Sequence, residues 1–206
     1  MGLLDGKKVL ITGARKGIGR GIAITLAKEG ADIGLNDIVD DEVSAKCVDI
    51  VSKNGVNATF HKGDVSKLDE ISSVFDSFLE SHKKIDVLIN NAGVSGSSAK
   101  LEDCDFLDWK NTLDINLNGT FLSTKLAIPL LKNKGGSIIN MGSTSSFLGN
   151  PLRSAYSASK WGLIGLTKTW AMEYGKNKIR VNTICPCSVN GERIDCLLYT
   201  SDAADE

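Results

Sequence analysis

The chain has 206 residues, of which 42% are hydrophobic, and its 24 lysines and arginines nearly balance 25 aspartates and glutamates, for a formal net charge of −1. This composition is typical of one globular domain, and it lacks the basic excess that a nucleic-acid partner requires. No apolar run approaches the roughly 18 residues that cross a bilayer, and residues 1–6 lack the features of a signal peptide, so no membrane partner is expected.

Short apolar runs alternate with longer helical stretches along the chain. Their hydrophobic periods predict strands over 8–12, 31–37, 56–61, 85–90, 136–141 and 179–184, and helices over 17–29, 41–53, 68–81, 109–131 and 155–174. Strands that alternate with helices form a parallel sheet through right-handed crossovers, with helices on both faces. The predicted fold class is therefore α/β, a doubly wound parallel sheet of Rossmann type in a single domain over residues 1–195.

A glycine-rich turn, Thr12-Gly-Ala-Arg-Lys-Gly-Ile-Gly19, joins the first predicted strand to the first predicted helix. At this point of a doubly wound sheet the positive end of a helix binds the pyrophosphate of a dinucleotide, and glycines remove the Cβ atoms that would block its approach. A tight structural turn is the alternative. The flanking strand and helix favour a dinucleotide site, whose predicted residues in the turn are Gly13, Arg15, Lys16, Gly17, Ile18 and Gly19.

Asp37 ends the second predicted strand, 18 residues beyond Gly19. A carboxylate at this place accepts hydrogen bonds from the adenosine ribose hydroxyls and repels a 2′-phosphate, which favours NAD over NADP. Ile38 follows, so no arginine stands next to the carboxylate, although Arg15 or Lys16 could reach a 2′-phosphate from the glycine turn. NAD is the preferred cofactor, and NADP stays open. A helix N-cap or loop carboxylate is the alternative role for Asp37.

Tyr156 and Lys160 stand four residues apart in the last predicted helix, so both lie on one helix face. Free tyrosine has a pKa of about 10 and exchanges protons poorly at neutral pH. A fixed ammonium nearby favours the phenolate and makes a phenol a usable general acid/base. The same spacing occurs by chance on solvated helix faces, so the pair gains weight only from the rest of the chain.

Two more segments, 61–65 and 90–93, follow the third and fourth predicted strands, where open α/β sheets bind ligands. With these in place the chain resembles the short-chain dehydrogenase/reductase family from Lys7 to about Asp195. The resemblance rests on motifs that occur in the family's order: the turn 12–19, Asp64, Asn90-Asn-Ala-Gly93, Asn116, Ser143, Tyr156 and Lys160.

The resemblance implies a role for each matched residue. Tyr156 would be the general acid/base, Ser143 would hydrogen-bond the substrate oxygen, and Lys160 would bind the nicotinamide ribose and favour the phenolate. Asn116 would hold a water between Lys160 and solvent, unless it is only a polar residue on its helix. Ser145 and Ser146 are the rivals of Ser143. The remaining implied cofactor contacts are Asp64 and Val65 at the adenine, Asn91, Ala92 and Gly93 along the cofactor, and Pro186 beside the nicotinamide.

The implied reaction interconverts a secondary alcohol and a ketone, with a small polyol, sugar acid or hydroxy acid as the favoured small-molecule substrate. The alternatives are a 3-oxoacyl-acyl-carrier-protein reductase that uses NADPH and a non-catalytic dinucleotide-binding sensor or scaffold. A homodimer or homotetramer is implied through the helix faces near Asn116 and Tyr156. No metal site is expected, since the five cysteines show no Cys-x-x-Cys spacing and there are only two histidines. Reduced thiols in the cytoplasm fit this pattern.

Two features depart from the family's pattern. Cys187 follows Pro186 where the family usually has glycine, and its thiol is expected to crowd the nicotinamide. Residues 196–206 resemble the translation of a sequencing adapter, so we expect a non-native tail on a C-terminally truncated chain. A chain that lacks the family's last strand and substrate loop would leave a sheet edge and apolar surface uncovered.

Overall fold

A computed structural model describes residues 2–189 and contains one six-stranded sheet. The strands are β1 Lys8–Thr12, β2 Asp32–Asp37, β3 Ala58–Lys62, β4 Val87–Asn90, β5 Gly136–Met141 and β6 Ile179–Ile184. Their spatial order is β3-β2-β1-β4-β5-β6, and every neighbouring pair is parallel. The topology confirms the predicted doubly wound α/β fold. The expected non-native tail, residues 196–206, lies outside the described residues.

Helices cover both faces of the sheet. They are α1 Gly17–Lys28, α2 Glu42–Ser52, α3 Leu68–His82, α4 Phe106–Leu113, α5 Gly119–Leu131 and α6 Ser154–Tyr174. Successive strand residues point to opposite faces, so Val9 and Ile11 of β1 pack with α1 and α2, while Leu10 packs with α3, α5 and α6. None of the helices within residues 2–189 is both long and apolar enough to span a bilayer.

The helix predicted over 109–131 differs in the structure. It begins earlier, at Phe106, because the Asp105 carboxylate caps it by accepting a hydrogen bond from the Asp108 N–H at 2.8 Å. Between α4 and α5, residues Asp114–Asn118 form a π-helical turn. Hydrophobic periodicity does not distinguish such a turn from an α-helix, so the sequence predicted one continuous helix. Turns of this kind occur frequently at functional sites.

The order in which successive strands are added to the sheet reverses at β1. The chain passes from β1 through α1 to β2 on one side, and β4 lies against the other side of β1. The loops that leave the carboxyl ends of β1 and β4 therefore diverge, and the crevice between them is the ligand site of open α/β sheets. Both the glycine turn after β1 and the segment 91–93 after β4 stand at this crevice.

Two histidines are buried between β3 and α3. Thr59 Oγ1 lies 2.7 Å from Nε2 of both His61 and His82, and His61 Nδ1 lies 2.9 Å from Ser77 Oγ. Phe78 stacks on His82 with ring centroids 4.6 Å apart. Burial lowers the pKa of His61 to about 4, and burial also lowers the pKa of His82. Both rings are therefore neutral in the folded chain at neutral pH.

We predict that the fold loses stability on acidification between pH 6.5 and about pH 4. Below pH 6.5 the histidines of the unfolded chain bind protons. In the folded chain His61 binds its proton only near its lowered pKa of about 4, so acidification favours the unfolded state. His61 alone then lowers the free energy of unfolding by about 3 kcal/mol. Urea titrations at about pH 7.5, 5.5 and 4.5 measure the fall. His61→Gln should flatten it, and an equally steep fall in that variant would contradict the assignment.

Candidate active site

The turn after β1 is packed tightly against the segment after β4. Gly13 has φ +62°, a left-handed conformation that favours glycine. A Cβ on Gly13 would lie 2.7 Å from the Ala92 Cα. A Cβ on Gly19 would lie 2.4 Å from the Gly13 carbonyl oxygen and 2.6 Å from the Asn91 side-chain nitrogen. These glycines therefore bring the start of α1 to the edge of the crevice.

The opposite side of the same turn is open. Gly17 has φ +57°, and a Cβ added there would meet no atom within 4 Å. Lys16 precedes α1 as its N-cap residue, and a lysine side chain cannot accept the hydrogen bonds that a capping side chain accepts. The first N–H groups of a helix have no intrahelical partner, so this end of α1 suits an anion such as a pyrophosphate. Ile18 is exposed beside it.

Thr12 and Asn91 join the two loops of the crevice. Thr12 Oγ1 accepts hydrogen bonds from the N–H groups of Asn91 and Ala92, at 3.0 and 3.1 Å. The Asn91 side-chain amide donates to the carbonyls of Thr12 and Gly13, at 2.9 and 2.8 Å. The Asn91 side chain thus shapes the glycine turn. Thr12 was not among the predicted site residues. A hydroxyl at the end of a buried strand could have indicated a hydrogen bond to a neighbouring loop.

Charged groups cluster after β2, next to the glycine turn. Asp37 ends β2, and its carboxylate accepts a hydrogen bond from the Ile38 N–H at 2.9 Å. The Nε of Arg15 donates to Asp41 Oδ1 at 2.9 Å, and its Nη2 pairs with the other oxygen of that carboxylate. The hydrogen bond from Arg15 is the main reason that the pKa of Asp41 lies well below its usual range. Arg15 is therefore held by Asp41, which also caps α2.

Asp64 and Val65 follow β3 and are engaged within the protein. The Asp64 carboxylate accepts hydrogen bonds from the Ser66 N–H and hydroxyl, at 2.9 and 2.7 Å. The Val65 side chain is 5% exposed, and it packs against Gly119, where a Cβ would come within 2.7 Å of it. Any adenine contact of Val65 would come from its main chain, and the adenine roles of both residues stay predictions.

The first half of α6 carries the predicted catalytic pair. Lys160 is 5% exposed, and its Nζ donates to the Met141 carbonyl at the end of β5, at 2.7 Å. The same Nζ lies 5.6 Å from the centroid of the Tyr156 ring, within the range of a cation–π interaction. Tyr156 itself is half-buried. The spacing of four residues has therefore brought the ammonium and the aromatic ring close together.

Gly93, at the crevice, lies close to Asn116 and Lys160. A Cβ on Gly93 would lie 3.1 Å from Asn116 Oδ1 and 3.7 Å from Lys160 Nζ. A side chain at position 93 would therefore press on the Asn116 amide oxygen and would touch the ammonium. The absence of a Cβ thus places the segment 91–93, Asn116 and Lys160 within one small region.

Asn116 is 1% exposed within the π turn and bonds two neighbouring segments. Its Oδ1 accepts from the Val94 N–H at 2.8 Å, and its Nδ2 donates to the Val94 carbonyl at 2.9 Å. Nδ2 also donates to Ser159 Oγ at 3.1 Å, and the Ser159 hydroxyl donates to the Tyr156 carbonyl at 2.7 Å. Ser159 was missed by the sequence analysis. Its position beside Lys160 was the available signal.

Ser143 differs in exposure from its two rivals. Ser145 and Ser146 are 7% and 0% exposed, whereas Ser143 is only partly buried. Ser146 Oγ accepts a hydrogen bond from the Ser143 N–H at 3.1 Å, so Ser146 serves the turn itself. Ser143 Oγ accepts from the Ser145 N–H at 3.2 Å, which leaves its hydroxyl proton to donate elsewhere. The geometry favours Ser143 among the three serines.

The segment after β6 is attached to the loop after β5. The Thr144 N–H donates to the Pro186 carbonyl at 3.1 Å, which places Pro186 next to the Ser143 loop. Cys185 Sγ lies against Gly142, where a Cβ would come within 2.7 Å of the sulfur, and Cys187 is exposed. The contact of Pro186 with the nicotinamide and the crowding by the Cys187 thiol stay predictions.

Fold and site together define a class of enzyme. A doubly wound sheet with a glycine turn at its switch point is a dinucleotide-binding fold. A phenol beside a buried ammonium is equipped to exchange a proton with an oxygen atom of a substrate. The class is that of the nicotinamide-dependent oxidoreductases.

Comparisons with known proteins agree with this class. The sequence pattern of the family described as short chain dehydrogenase matches residues 7–195. The chain is 38% identical over 193 residues to the 3beta-hydroxysteroid dehydrogenase of Mediterraneibacter gnavus, covering 92% of this chain and 68% of that protein. It is 36% identical over 184 residues to a 3-oxoacyl-acyl-carrier-protein reductase of Thermotoga maritima, covering 89% and 74%.

A solved structure gives the same result. NAD+-bound xylitol dehydrogenase superposes with a TM-score of 0.89 at 34% identity, covering 93% of this chain and 74% of that one. The chain belongs to the short-chain dehydrogenase family, as its motifs predicted, and it is an NAD(P)-dependent oxidoreductase.

We predict that Gly19→Ala weakens NADH binding and that Gly21→Ala does not. The methyl group at position 19 would overlap the Gly13 carbonyl oxygen, whereas the one at position 21 meets no atom within 4 Å. Overpacking of this kind costs about 1–3 kcal/mol, so fluorescence titration should show roughly tenfold weaker binding for Gly19→Ala. Gly21→Ala should instead raise the free energy of unfolding by roughly 0.5–1 kcal/mol. Equal affinities in the two variants would refute the role of Gly19.

Proposed function

We propose that the protein interconverts a secondary alcohol and a ketone, with Tyr156 exchanging the proton on the substrate oxygen. The observation that carries this proposal is the buried Lys160 ammonium, which lies 5.6 Å from the Tyr156 ring centroid and beside Gly93 at the crevice. The positive charge of Lys160 stabilises the negative charge that forms on the phenol oxygen when Tyr156 gives up its proton. Both groups come from one helix, so the backbone fixes their separation.

Each step follows from the chemistry of these groups. The nicotinamide cofactor, when bound, supplies or accepts the hydride. In reduction the Tyr156 hydroxyl donates its proton to the carbonyl oxygen as the carbon gains the hydride, and Lys160 stabilises the phenolate that remains. In oxidation the phenolate removes the proton of the alcohol. Ser143 donates a hydrogen bond to the same oxygen and stabilises the negative charge that develops there.

In this proposal Asn116 and Ser159 position the pair. The hydrogen bonds from Asn116 to Ser159 and from Ser159 to the Tyr156 carbonyl join the π turn to the first turns of α6. The two bonds between Asn116 and Val94 join the same turn to the segment after β4. Together they fix α6 relative to the crevice. A water held by Asn116 between Lys160 and solvent belongs to the same proposal.

NAD(H) is the cofactor that we propose as preferred. Asp37 ends β2, where folds of this type bind the adenosine ribose hydroxyls and where a carboxylate repels a 2′-phosphate. Arg15 could offset that repulsion, but it is paired with Asp41 through both carboxylate oxygens. The Asp41 carboxylate already balances part of the positive charge of Arg15, and this pairing supports NAD over NADP.

For the substrate we propose a small polyol, sugar acid or hydroxy acid. The structural likeness to NAD+-bound xylitol dehydrogenase, whose name denotes a polyol substrate, supports this choice. The second candidate is a 3-oxoacyl-acyl-carrier-protein reductase using NADPH, which the similarity to the Thermotoga maritima reductase and the exposed Lys16 favour. A non-catalytic sensor or scaffold gives no account of the buried ammonium beside Tyr156.

A homodimer or homotetramer formed through α5 and α6 is also proposed. Phe121 is 44% exposed and lines a shallow cleft between the two helices with Leu117, Gly162 and Leu166. Trp161, next to Gly162, is 51% exposed. Large exposed apolar side chains that are grouped in this way are typical of protein interfaces.

We include a cytoplasmic location in the proposal. Among the described residues Cys47, Cys104, Cys185 and Cys187 are free thiols. Thiols of this kind persist in the reducing cytoplasm, which supports the location expected from the sequence.

We predict that Tyr156→Phe loses at least about 100-fold in kcat while its Kd for NADH stays unchanged, because only the proton donor is removed. The matched control is Tyr174→Phe at the far end of the same helix, which should keep its turnover. Turnover is measured with NADH and a panel of ketones, and binding by fluorescence. Undiminished turnover in Tyr156→Phe would exclude Tyr156 as the acid/base. A parent protein that binds NADH but reduces no ketone would defeat the proposed reaction.

We predict that the parent prefers NADH to NADPH. In Asp37→Ser the ratio of kcat/KM for NADH to kcat/KM for NADPH should fall by at least about tenfold. Removing the carboxylate removes its repulsion of the 2′-phosphate, and like charges at a binding site cost several kcal/mol. Asp49→Ser, which removes an exposed carboxylate from α2, is the control and should leave the ratio unchanged. A parent that prefers NADPH would overturn the assignment of Asp37.

A further inference from the structure

Residues 94–100, which we call the substrate-side loop, leave the crevice and lead toward α4. The first residue of the loop, Val94, is bonded through both its N–H and its carbonyl to Asn116, at 2.8 and 2.9 Å. Further along, the Ser97 N–H and hydroxyl both donate to Asp108 Oδ2, at 2.8 and 2.7 Å. The π turn and α4 therefore hold one side of this loop.

The other side of the loop is fastened to the start of α6. Arg153, the residue before the helix, donates from Nη1 to the Gly96 carbonyl at 2.9 Å. The Ala99 N–H donates to the Leu152 carbonyl at 3.1 Å. Both bonds reach the chain directly before the helical turn that carries Tyr156. The loop and the catalytic helix are thus joined without any intervening element.

Arg153 is the residue directly before α6, at the end of the helix that disfavours a cation. The N-terminus of a helix carries partial positive charge, which disfavours a cation there. Asp108 compensates for this position. The hydrogen bonds from Ser97 are the main reason that the pKa of Asp108 is lowered, and the positive charge of Arg153 lowers it further. The loop and α4 therefore hold Arg153 at a place that the helix alone would not favour.

The backbone is strained where the substrate-side loop contacts the start of α6. Leu152 has φ +60°, in the left-handed region, which is unfavourable for a residue with a Cβ atom. Gly96 has φ +66°, and a Cβ there would lie 2.6 Å from Thr112 Oγ1. Leucine keeps a left-handed conformation only where the surrounding contacts enforce it, and non-glycine residues in this conformation cluster at ligand sites.

We propose that Arg153 is a positioning residue that fixes the substrate-side loop against the catalytic helix, and that this clasp determines which alcohols and ketones fit beside Tyr156. The inference rests on the proposed function, since Tyr156 defines where the substrate oxygen lies. The loop begins next to Gly93, beside Lys160, and the clasp ends just before Tyr156. Releasing it leaves the catalytic pair and the cofactor crevice intact but frees the wall beside them. Discrimination between substrates should then fall more than turnover.

Arg153→Met tests the clasp, because it keeps an unbranched apolar stem and removes the guanidinium donors. The matched control is Arg180→Met, which removes an exposed arginine from β6. Hydrogen exchange followed by mass spectrometry should show the Ser97 and Ala99 amides exchanging at least about tenfold faster in Arg153→Met. Arg180→Met should exchange at the rate of the parent.

Turnover with NADH and a graded series of ketones forms the second arm. Arg153→Met should reduce the ratio of kcat/KM between the preferred and the poorest ketone by roughly tenfold, mainly through a higher KM for the preferred one. The Kd for NADH should match that of the parent, because the glycine turn is untouched. Where Arg153→Met fails to fold, Arg153→Leu gives the same comparison, since leucine also lacks any side-chain donor.

The outcomes separate the two proposals. Unchanged exchange in the loop overturns the clasp, and faster exchange with unchanged discrimination overturns its role in specificity. Faster exchange together with reduced discrimination supports both parts. A parent that binds NADH but reduces no ketone defeats the proposed function, and the exchange measurement then decides the clasp by itself.

Discussion

The buried ammonium of Lys160 is the constraint on which the site depends. A charge removed from water is stable only where acceptors or opposite charge surround it. The Met141 carbonyl supplies an acceptor at 2.7 Å because β5 ends beside α6, and the Tyr156 ring supplies a second favourable contact. The position of α6 against the sheet is therefore tied to the satisfaction of one charge. A shift of the helix along β5 would separate Lys160 from the Met141 carbonyl.

A buried polar ladder secures the same arrangement deeper in the sheet. Asn140, the neighbour of Met141, donates from Nδ2 to Thr167 Oγ1 at 2.8 Å, which binds β5 to α6 two helical turns beyond Lys160. Its Oδ1 accepts from the Asn90 side chain at 2.9 Å, which binds β5 to β4. These groups are buried, so an unmade bond would leave a polar atom unsatisfied. The ladder thus links the crevice after β4 to the helix that carries the catalytic pair.

Much of the fold followed from the sequence because strands buried on both faces and amphipathic helices have different hydrophobic periods. The catalytic pair followed from helical spacing, and the glycine turn from its place between a strand and a helix. Other features depend on contacts between distant segments. The bond from Arg153 to Gly96 joins residues 57 apart, and the pairing of Arg15 with Asp41 depends on where α2 begins. The π turn was missed because it has no distinct local composition.

The π turn at Asp114–Asn118 makes the position of Asn116 depend on the number of residues in this segment. An α-helix advances by about 100° per residue, and a π turn closes its hydrogen bond over one residue more than an α turn. Asn116 bonds Val94 and Ser159 from within this widened turn. Deleting one residue here would leave the composition nearly the same but convert the π turn into an α turn, which would remove the widening from which Asn116 bonds both neighbouring segments. At this position, insertions and deletions are therefore more informative about function than substitutions.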